Sequence, residues 1–332
     1  MNKILKDLFL EKDLTKNEAK KLMLEMLNGN MNTTQIMAIT SIYNIRNPNV
    51  EEIIGFYEAM NELSIKIDLT DFNDVAINIV GTGGDEKNTF NISTIACFII
   101  AGTGEKVIKH GNFNSSSITG SSNIMEKLGY RFTVKEKNIK NQLKYVGICY
   151  LHAPIFYPFL KKISIYRKQL GIKTIFNTLG PLLNPGNPKN LLLGVNSLEL
   201  ARIYHYIYQN TKNNYAIIHS LDGYDEISLT SDIKCYTNNG EKYYCKEELN
   251  KKKIKINIEE LKGGNNLIDN IKIFMNVLSG NGTPTQNEVV LVNSTFALNL
   301  LNKNDFETNY DKAKYSLKSG NAKNVLKKLL NL

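Results

Sequence analysis

The chain has 332 residues, enough to bury a large core and to form one large domain beside a smaller one. Its net charge of +9 raises nucleic acid as a partner, but the lysines are dispersed and the one dense run, Lys251-Lys252-Lys253, sits in a polar segment. That pattern reads as a solvated face, and a basic balance equally suits a small polyanionic substrate. Charged residues between Lys3 and Asp7 occupy the place of a signal segment, and no apolar run approaches a membrane-spanning length. Cys97, Cys149, Cys235 and Cys245 show no CxxC spacing. A cytoplasmic protein with reduced thiols is expected, without a disulfide framework or zinc site.

Residues 1–70 read as a small helical domain. Ile4, Leu5, Leu8 and Phe9 recur at helical intervals, and Thr15 with Glu18, Asn32 with Gln35 and Asn49 with Glu52 match the capping-box spacing. Ala19, Leu22, Met23, Met26 and Leu27 form one apolar face, after which Gly29 is placed to end the helix.

Beyond Asp71 the texture changes to short β-branched runs alternating with helical patterns: Ala76 to Val80, Lys106 to Lys109, Gly147 to Leu151, Leu191 to Val195 and Ala216 to His219. The fold class is α/β, with a large domain over residues 71–332 built on a mainly parallel central sheet. Helical turns are expected between Leu151 and Pro188, ending in the proline-rich segment Gly180 to Pro185, and those near 160–185 are expected to join the small domain. Asp232 to Thr237 and Glu241 to Cys245 read as a hairpin around Asn239-Gly240, Lys246 to Asp269 as an excursion, and Asn287 to Leu301 and Ala322 to Leu332 as helices.

The stretch Val80 to Ser121 carries the chemistry. Gly81-Thr82-Gly83-Gly84-Asp85 joins the end of a buried strand to an apolar helix over Ile92 to Ala101. Glycines let the backbone approach an anion, and the N–H groups of a helix start meet its charge, so a phosphorylated ligand is expected. The polar loop Gly111 to Ser121 also follows a strand and precedes a helix. Asp225-Glu226 stands after the strand at Ala216, at the same sheet edge, which makes a metal role plausible beside the commoner solvated turn.

Gly81-Thr82-Gly83-Gly84-Asp85, Asn91-Ile92-Ser93-Thr94, Lys109-His110-Gly111-Asn112, the Gly180 to Pro185 segment and Asp225-Glu226 follow one another in the order and spacing of the anthranilate phosphoribosyltransferase family, which the chain resembles over nearly its whole length. The resemblance implies the class-III-type phosphoribosyltransferase fold. It also implies transfer of the phosphoribosyl group of phosphoribosyl pyrophosphate to the amine of anthranilate in tryptophan biosynthesis. Cleaving the C1–pyrophosphate bond develops oxocarbenium-like charge on the sugar and negative charge on the leaving group. Positioning and electrostatics then supply most of the acceleration.

By resemblance, Gly81, Gly84, Asp85, Thr89, Asn91, Ser93, Thr94, Lys109, Ser117 and Ser121 line the phosphoribosyl pyrophosphate site, with Ser117 and Ser121 closing a loop over it. Two Mg2+ ions are implied, with Ser93, Asp225 and Glu226 as protein ligands, since magnesium takes oxygen donors shared with substrate phosphates. Arg167, Asn112 and the Gly81 backbone are implied at the anthranilate end, the planar guanidinium suiting a carboxylate. His110 is a candidate proton acceptor, but an aniline nitrogen needs no strong base and none is assigned. A homodimer formed through the helical domain is implied as well. Ile36, Ile39, Ile53 and Ile54 suit that use, although core packing suits them better.

Phe113 stands where relatives often have arginine, Ile118 where lysine is frequent, Tyr157 for a common histidine and Asn123 for a common aspartate. Two other readings compete: a pyrimidine nucleoside phosphorylase of the same fold, and a catalytically silent relative that binds nucleic acid. Arg167 and Asp225-Glu226 weigh against both.

Overall fold

The computed structural model describes residues 2–83, 85–113, 119–302 and 304–332, without the side chains of Asn2 and Lys168. The chain divides into two compact units, Met1–Lys66 with Ala153–Pro185, and Ile67–His152 with Gly186–Leu332.

The first unit is helical: Asn2–Phe9, Lys16–Asn28, Thr33–Ile45 and Val50–Leu63 are followed, after the excursion into the second unit, by Leu160–Leu170 and Ile175–Leu179. The three capping boxes form as their spacing requires, with Thr15, Asn32 and Asn49 each accepting from the backbone N–H three residues on. Gly29, at φ 85, ends the second helix in the left-handed region. Lys16–Asn28 and Val50–Leu63 approach so closely that a Cβ on Gly55 would lie 2.3 Å from the Lys16 carbonyl oxygen. Glu52, in the first turn of Val50–Leu63, is fully buried, and its carboxylate accepts from Arg46 (2.6 and 3.0 Å), from the Tyr43 hydroxyl (3.1 Å) and from the Leu14 N–H (3.0 Å). A buried carboxylate is stable only when paired and hydrogen-bonded in this way. Ile36, Ile39 and Ile53 are buried in the same core.

The second unit is built on a seven-stranded sheet: β1 Ala76–Gly81, β2 Lys106–Gly111, β3 Ile148–His152, β4 Asn190–Gly194, β5 Asn214–Ser220, β6 Ile233–Thr237 and β7 Gly240–Tyr244. Their order is β3-β2-β1-β4-β5-β6-β7, parallel through β5 and antiparallel for the β6–β7 hairpin. The expected mainly parallel sheet is therefore present. Strand order reverses between β1 and β4, which opens a crevice at their carboxyl ends, the usual ligand position in such sheets.

Two helices lie in the core of this unit: Ile92–Gly102, which is apolar nearly all round, and Pro284–Leu301, which is buried along most of its length and carries polar residues such as Glu288, Asn293 and Ser294 inward with hydrogen-bond partners. Pro284–Leu301 begins earlier than the apolar run suggests, because Thr283 caps it in a box with Gln286 and Pro284 occupies its first turn. Leu267–Leu278 starts inside the segment read as an excursion, where the Asn266 side chain accepts from the Asp269 N–H at 3.0 Å. Leu198–Tyr208, Phe306–Lys318 and the terminal Asn321–Leu330 complete the major helices.

Candidate active site

The loop after β1 is held against the acidic turn that follows β5. Gly81 and Gly194 are register partners at the carboxyl ends of β1 and β4. Neither has room for a side chain: a Cβ on Gly81 would lie 2.5 Å from Asp225 Oδ2, and one on Gly194 would lie 1.6 Å from the Asp225 carbonyl oxygen. This glycine pair lets Asp225 settle directly onto the sheet edge. Its carboxylate there accepts from the Gly83 N–H at 2.5 Å and from the Thr82 hydroxyl at 3.4 Å. Glu226 accepts from the Ser93 N–H at 3.1 Å and from the Thr89 hydroxyl at 3.2 Å, so it spans the loop and the start of the Ile92–Gly102 helix.

Burial raises the proton affinity of both carboxyl groups; for Asp225 the Asp85 charge adds to it, and for Glu226 the charges of Asp225 and Asp85 do. Such a group of like charges holds protons unless a cation replaces them, and carboxylates with hydroxyls form an oxygen-only donor set of the kind magnesium takes. Among the described residues no three His, Cys, Asp or Glu side chains form a ready-made metal cage.

Lys109, on β2, is buried within the same group. Its ammonium donates to the Ile79 carbonyl at 2.6 Å and to Ser93 Oγ at 3.4 Å. Burial lowers its proton affinity, and the nearby acidic side chains oppose that shift. Thr94 is also buried, and its hydroxyl has no hydrogen-bond partner among the described residues. A buried polar atom of this kind needs a partner, and the helix start beside it is where an anion would supply one. Glu86 (φ 62) and Asn88 (φ 48) adopt the left-handed region in the same loop, a local cost of the kind tolerated at functional sites.

The structure thus brings Gly81, Asp85, Thr89, Ser93, Thr94, Lys109, Asp225 and Glu226 together. Asn91 donates through Nδ2 to the Thr119 carbonyl at 3.4 Å, which ties the first loop to the second. His110 is buried, with its main-chain N–H 3.4 Å from Asn78 Oδ1. Asn112 is exposed; its Oδ1 accepts from the Phe113 N–H at 2.7 Å and its carbonyl from the Ser122 N–H at 3.0 Å. Ser121 Oγ lies 2.7 Å from the Tyr150 hydroxyl. Asn123 caps the Ser121–Lys127 helix, accepting from the Gly120 N–H at 3.0 Å. Gly84, Ser117 and Ile118 lie outside the described residues.

Arg167 belongs to the helical unit, on Leu160–Leu170. Its guanidinium donates to Asn177 Oδ1 at 3.0 Å and lies 5.9 Å from the centre of the Phe176 ring. Asn177 also accepts from the Thr174 N–H at 3.1 Å, so a short capped helix fixes the arginine fork. Tyr157 is buried in the same unit.

Several supporting groups had no individual signal in the sequence. Gly194 and Asn177 are two. The segment 261–263 is a third: the Phe90 N–H donates to the Leu261 carbonyl at 3.0 Å and the Gly263 N–H to the Asn88 carbonyl at 2.6 Å. The excursion thereby braces the phosphate loop.

Two family models match the chain: the helical bundle domain of a glycosyl transferase family over residues 2–64, and the a/b domain of the same family over residues 73–323. The chain is 46% identical, over 100% of its length and 99% of the relative's, to the anthranilate phosphoribosyltransferase of Flavobacterium psychrophilum. Among solved structures it is similar to the anthranilate phosphoribosyltransferase of Thermus thermophilus, with TM-score 0.88, 26% identity and 98% of both chains covered. It is also similar to that of Saccharomyces cerevisiae in complex with PRPP and Mg, with TM-score 0.87, 25% identity and coverage of 98% of this chain and 96% of the yeast one.

Proposed function

The chain belongs to the anthranilate phosphoribosyltransferases, and from that premise we propose how its own residues divide the work. The reaction transfers the 5-phosphoribosyl group of phosphoribosyl pyrophosphate to the amine of anthranilate, giving N-(5-phosphoribosyl)anthranilate and pyrophosphate in tryptophan biosynthesis.

The observation that carries the donor end is the cluster of Asp85, Asp225 and Glu226 around the β1 loop, with Lys109 as its buried cation. With every group ionised, three carboxylates outweigh one ammonium, and a bare pyrophosphate would be repelled from such a site. Magnesium removes that repulsion and neutralises charge on the leaving group when bound. Asp225, Glu226 and Ser93 would hold it, and the excess of negative charge supports two ions. The N–H groups of Gly81 and Gly84, the hydroxyls of Thr89, Ser93 and Thr94, and Asn91 would bind phosphate oxygens, with Ser117 and Ser121 closing the second loop over them, while the Gly83 N–H stays on Asp225. Lys109, held behind Ser93, stabilises negative charge developing on pyrophosphate without entering the bond-breaking step.

At the acceptor end, Arg167 presents the rest of its fork to the anthranilate carboxylate once Asn177 has taken one N–H. The Asn112 amide, with its oxygen already engaged by the Phe113 N–H, offers its NH2 group as a donor, and the Gly81 backbone assists. The amine attacks C1 as the neutral aniline, and its proton becomes acidic only as the C–N bond forms. His110 is the candidate acceptor for that proton, although the chemistry requires no strong base.

No helix among the described residues is long and apolar enough to cross a membrane. The pathway supports a cytoplasmic location. A homodimer through the helical unit is supported by the exposed Phe9, Leu10 and Ile45, since Ile36, Ile39 and Ile53 are spent in the core. Sedimentation at working concentration checks it, and a monomer mass would end the idea.

The reaction is tested by following anthranilate fluorescence and pyrophosphate release together. Both are expected only with both substrates and Mg2+ present. Release of base from thymidine or uridine with phosphate would favour the phosphorylase reading. Tight, steeply salt-dependent DNA binding without turnover would favour the silent one.

A further inference from the structure

His152 ends β3 and pairs in register with Gly111, at the root of the loop that carries Asn112. The imidazole is buried. Phe132 stacks on it with centroids 4.1 Å apart and planes at 16°, and the Phe113 ring meets it edge-on at 4.6 Å. Its Nδ1 lies 2.7 Å from Ser122 Oγ, which lies 2.9 Å from the Tyr150 hydroxyl, which in turn lies 2.7 Å from Ser121 Oγ. Each hydroxyl in this row can donate one hydrogen bond and accept another, so the imidazole at its end sets the direction of the whole row.

The row bears directly on the loop root. A Cβ on Gly111 would come within 2.0 Å of the Tyr150 hydroxyl and 2.4 Å of Ser121 Oγ, so the phenol oxygen sits against the glycine backbone. Ser122, whose side chain His152 holds, donates its own N–H to the Asn112 carbonyl at 3.0 Å. We propose that His152, through Ser122 and Tyr150, is a positioning residue for the acceptor-binding Asn112, and that Phe113 is part of the same device because it closes the aromatic cover over the imidazole. The inference rests on the acceptor role proposed for Asn112. It also gives Phe113, which departs from the arginine often found there, a physical use.

The test compares His152→Phe, which keeps an aromatic ring but loses the polar end, with His152→Asn, which restores a polar partner for Ser122. His152→Phe is expected to raise the anthranilate KM about three- to tenfold, the range for one lost hydrogen bond, and the phosphoribosyl pyrophosphate KM by less than about twofold. His152→Asn is expected to recover most of that loss. Ser122→Ala should reproduce the split between the two KM values, and carries the same comparison if His152→Phe fails to fold. An unchanged anthranilate KM, or an equal rise in both KM values, would overturn the proposal. Asn112→Ala separates the two possible failures. If it leaves the anthranilate KM unchanged, the acceptor role of Asn112 is wrong and the proposal falls with it. If it raises that KM while His152→Phe does not, only the positioning row is refuted.

Discussion

Replacing Gly194 by alanine tests how the acidic turn is seated. The added Cβ would lie 1.6 Å from the Asp225 carbonyl oxygen and 2.7 Å from its carbonyl carbon, both backbone atoms that no side-chain rotation can clear. Restoring a normal contact needs a shift of well over 1 Å, and the Asp225 backbone is the nearest thing able to move. Overpacking of this kind costs about 1–3 kcal/mol, or roughly 2–12 °C of melting temperature for a domain of this size. Misplacement of a positioned group by about 1 Å can cost around a hundredfold in rate. Gly194→Ala should therefore fold with a modestly lower melting point, lose about two orders of magnitude in kcat and require more Mg2+ for half-maximal rate. Gly180→Ala is the control, since a Cβ there meets nothing within 4 Å. A Gly194→Ala protein with wild-type kcat and an unaltered Mg2+ titration would refute the role given to the glycine pair.

Arg167→Ala should raise the anthranilate KM by about ten- to a hundredfold, the loss expected for a charge-assisted hydrogen bond, with little effect on phosphoribosyl pyrophosphate. Equal effects on the two substrates would remove Arg167 from the acceptor end. Asp225→Asn with Glu226→Gln should shift the Mg2+ titration to higher concentration, and an unmoved titration would dismiss both as ligands. Burial lowers the His152 pKa from 6.5 to about 4, so between those values the unfolded chain takes up a proton that the folded chain does not. This contribution to stability is complete above about pH 6.5 and is lost as pH falls toward 4. The melting point of His152→Phe should accordingly fall less steeply than that of the wild type across this window, and parallel curves would contradict a buried neutral imidazole.

Much of the fold was legible because local physics and tertiary structure agree. Ile77, Ile79 and Val80 mark β1 with β-branched side chains, in a strand whose first four residues are all buried, and Thr15, Asn32 and Asn49 announce helix starts through bonds confined to one turn. The helix Leu267–Leu278 was missed because its cap lies in a polar stretch that resembles a loop. The same division holds at the site. Glycines, hydroxyls and carboxylates mark the phosphate end by type and order, but what steadies them is long-range. Nothing near Gly194 in the chain signals that the Asp225 carbonyl will rest on it, nor does anything beside Lys109 indicate an inward ammonium bound to the Ile79 carbonyl. Asn177 looks like an ordinary helix-start residue until its oxygen is found on Arg167. The departure at Phe113 becomes intelligible only beside His152 and Phe132, residues brought to it by the sheet and the loop beyond.

The central claim is that the β1 loop and the acidic turn together form a metal-dependent pyrophosphate site. A crystal structure with phosphoribosyl pyrophosphate and Mg2+ bound tests it most directly. The account predicts metal density on the carboxylates of Asp225 and Glu226 and pyrophosphate oxygens at the start of the Ile92–Gly102 helix, within reach of Thr94. Pyrophosphate bound elsewhere, with no cation on either carboxylate, would contradict it.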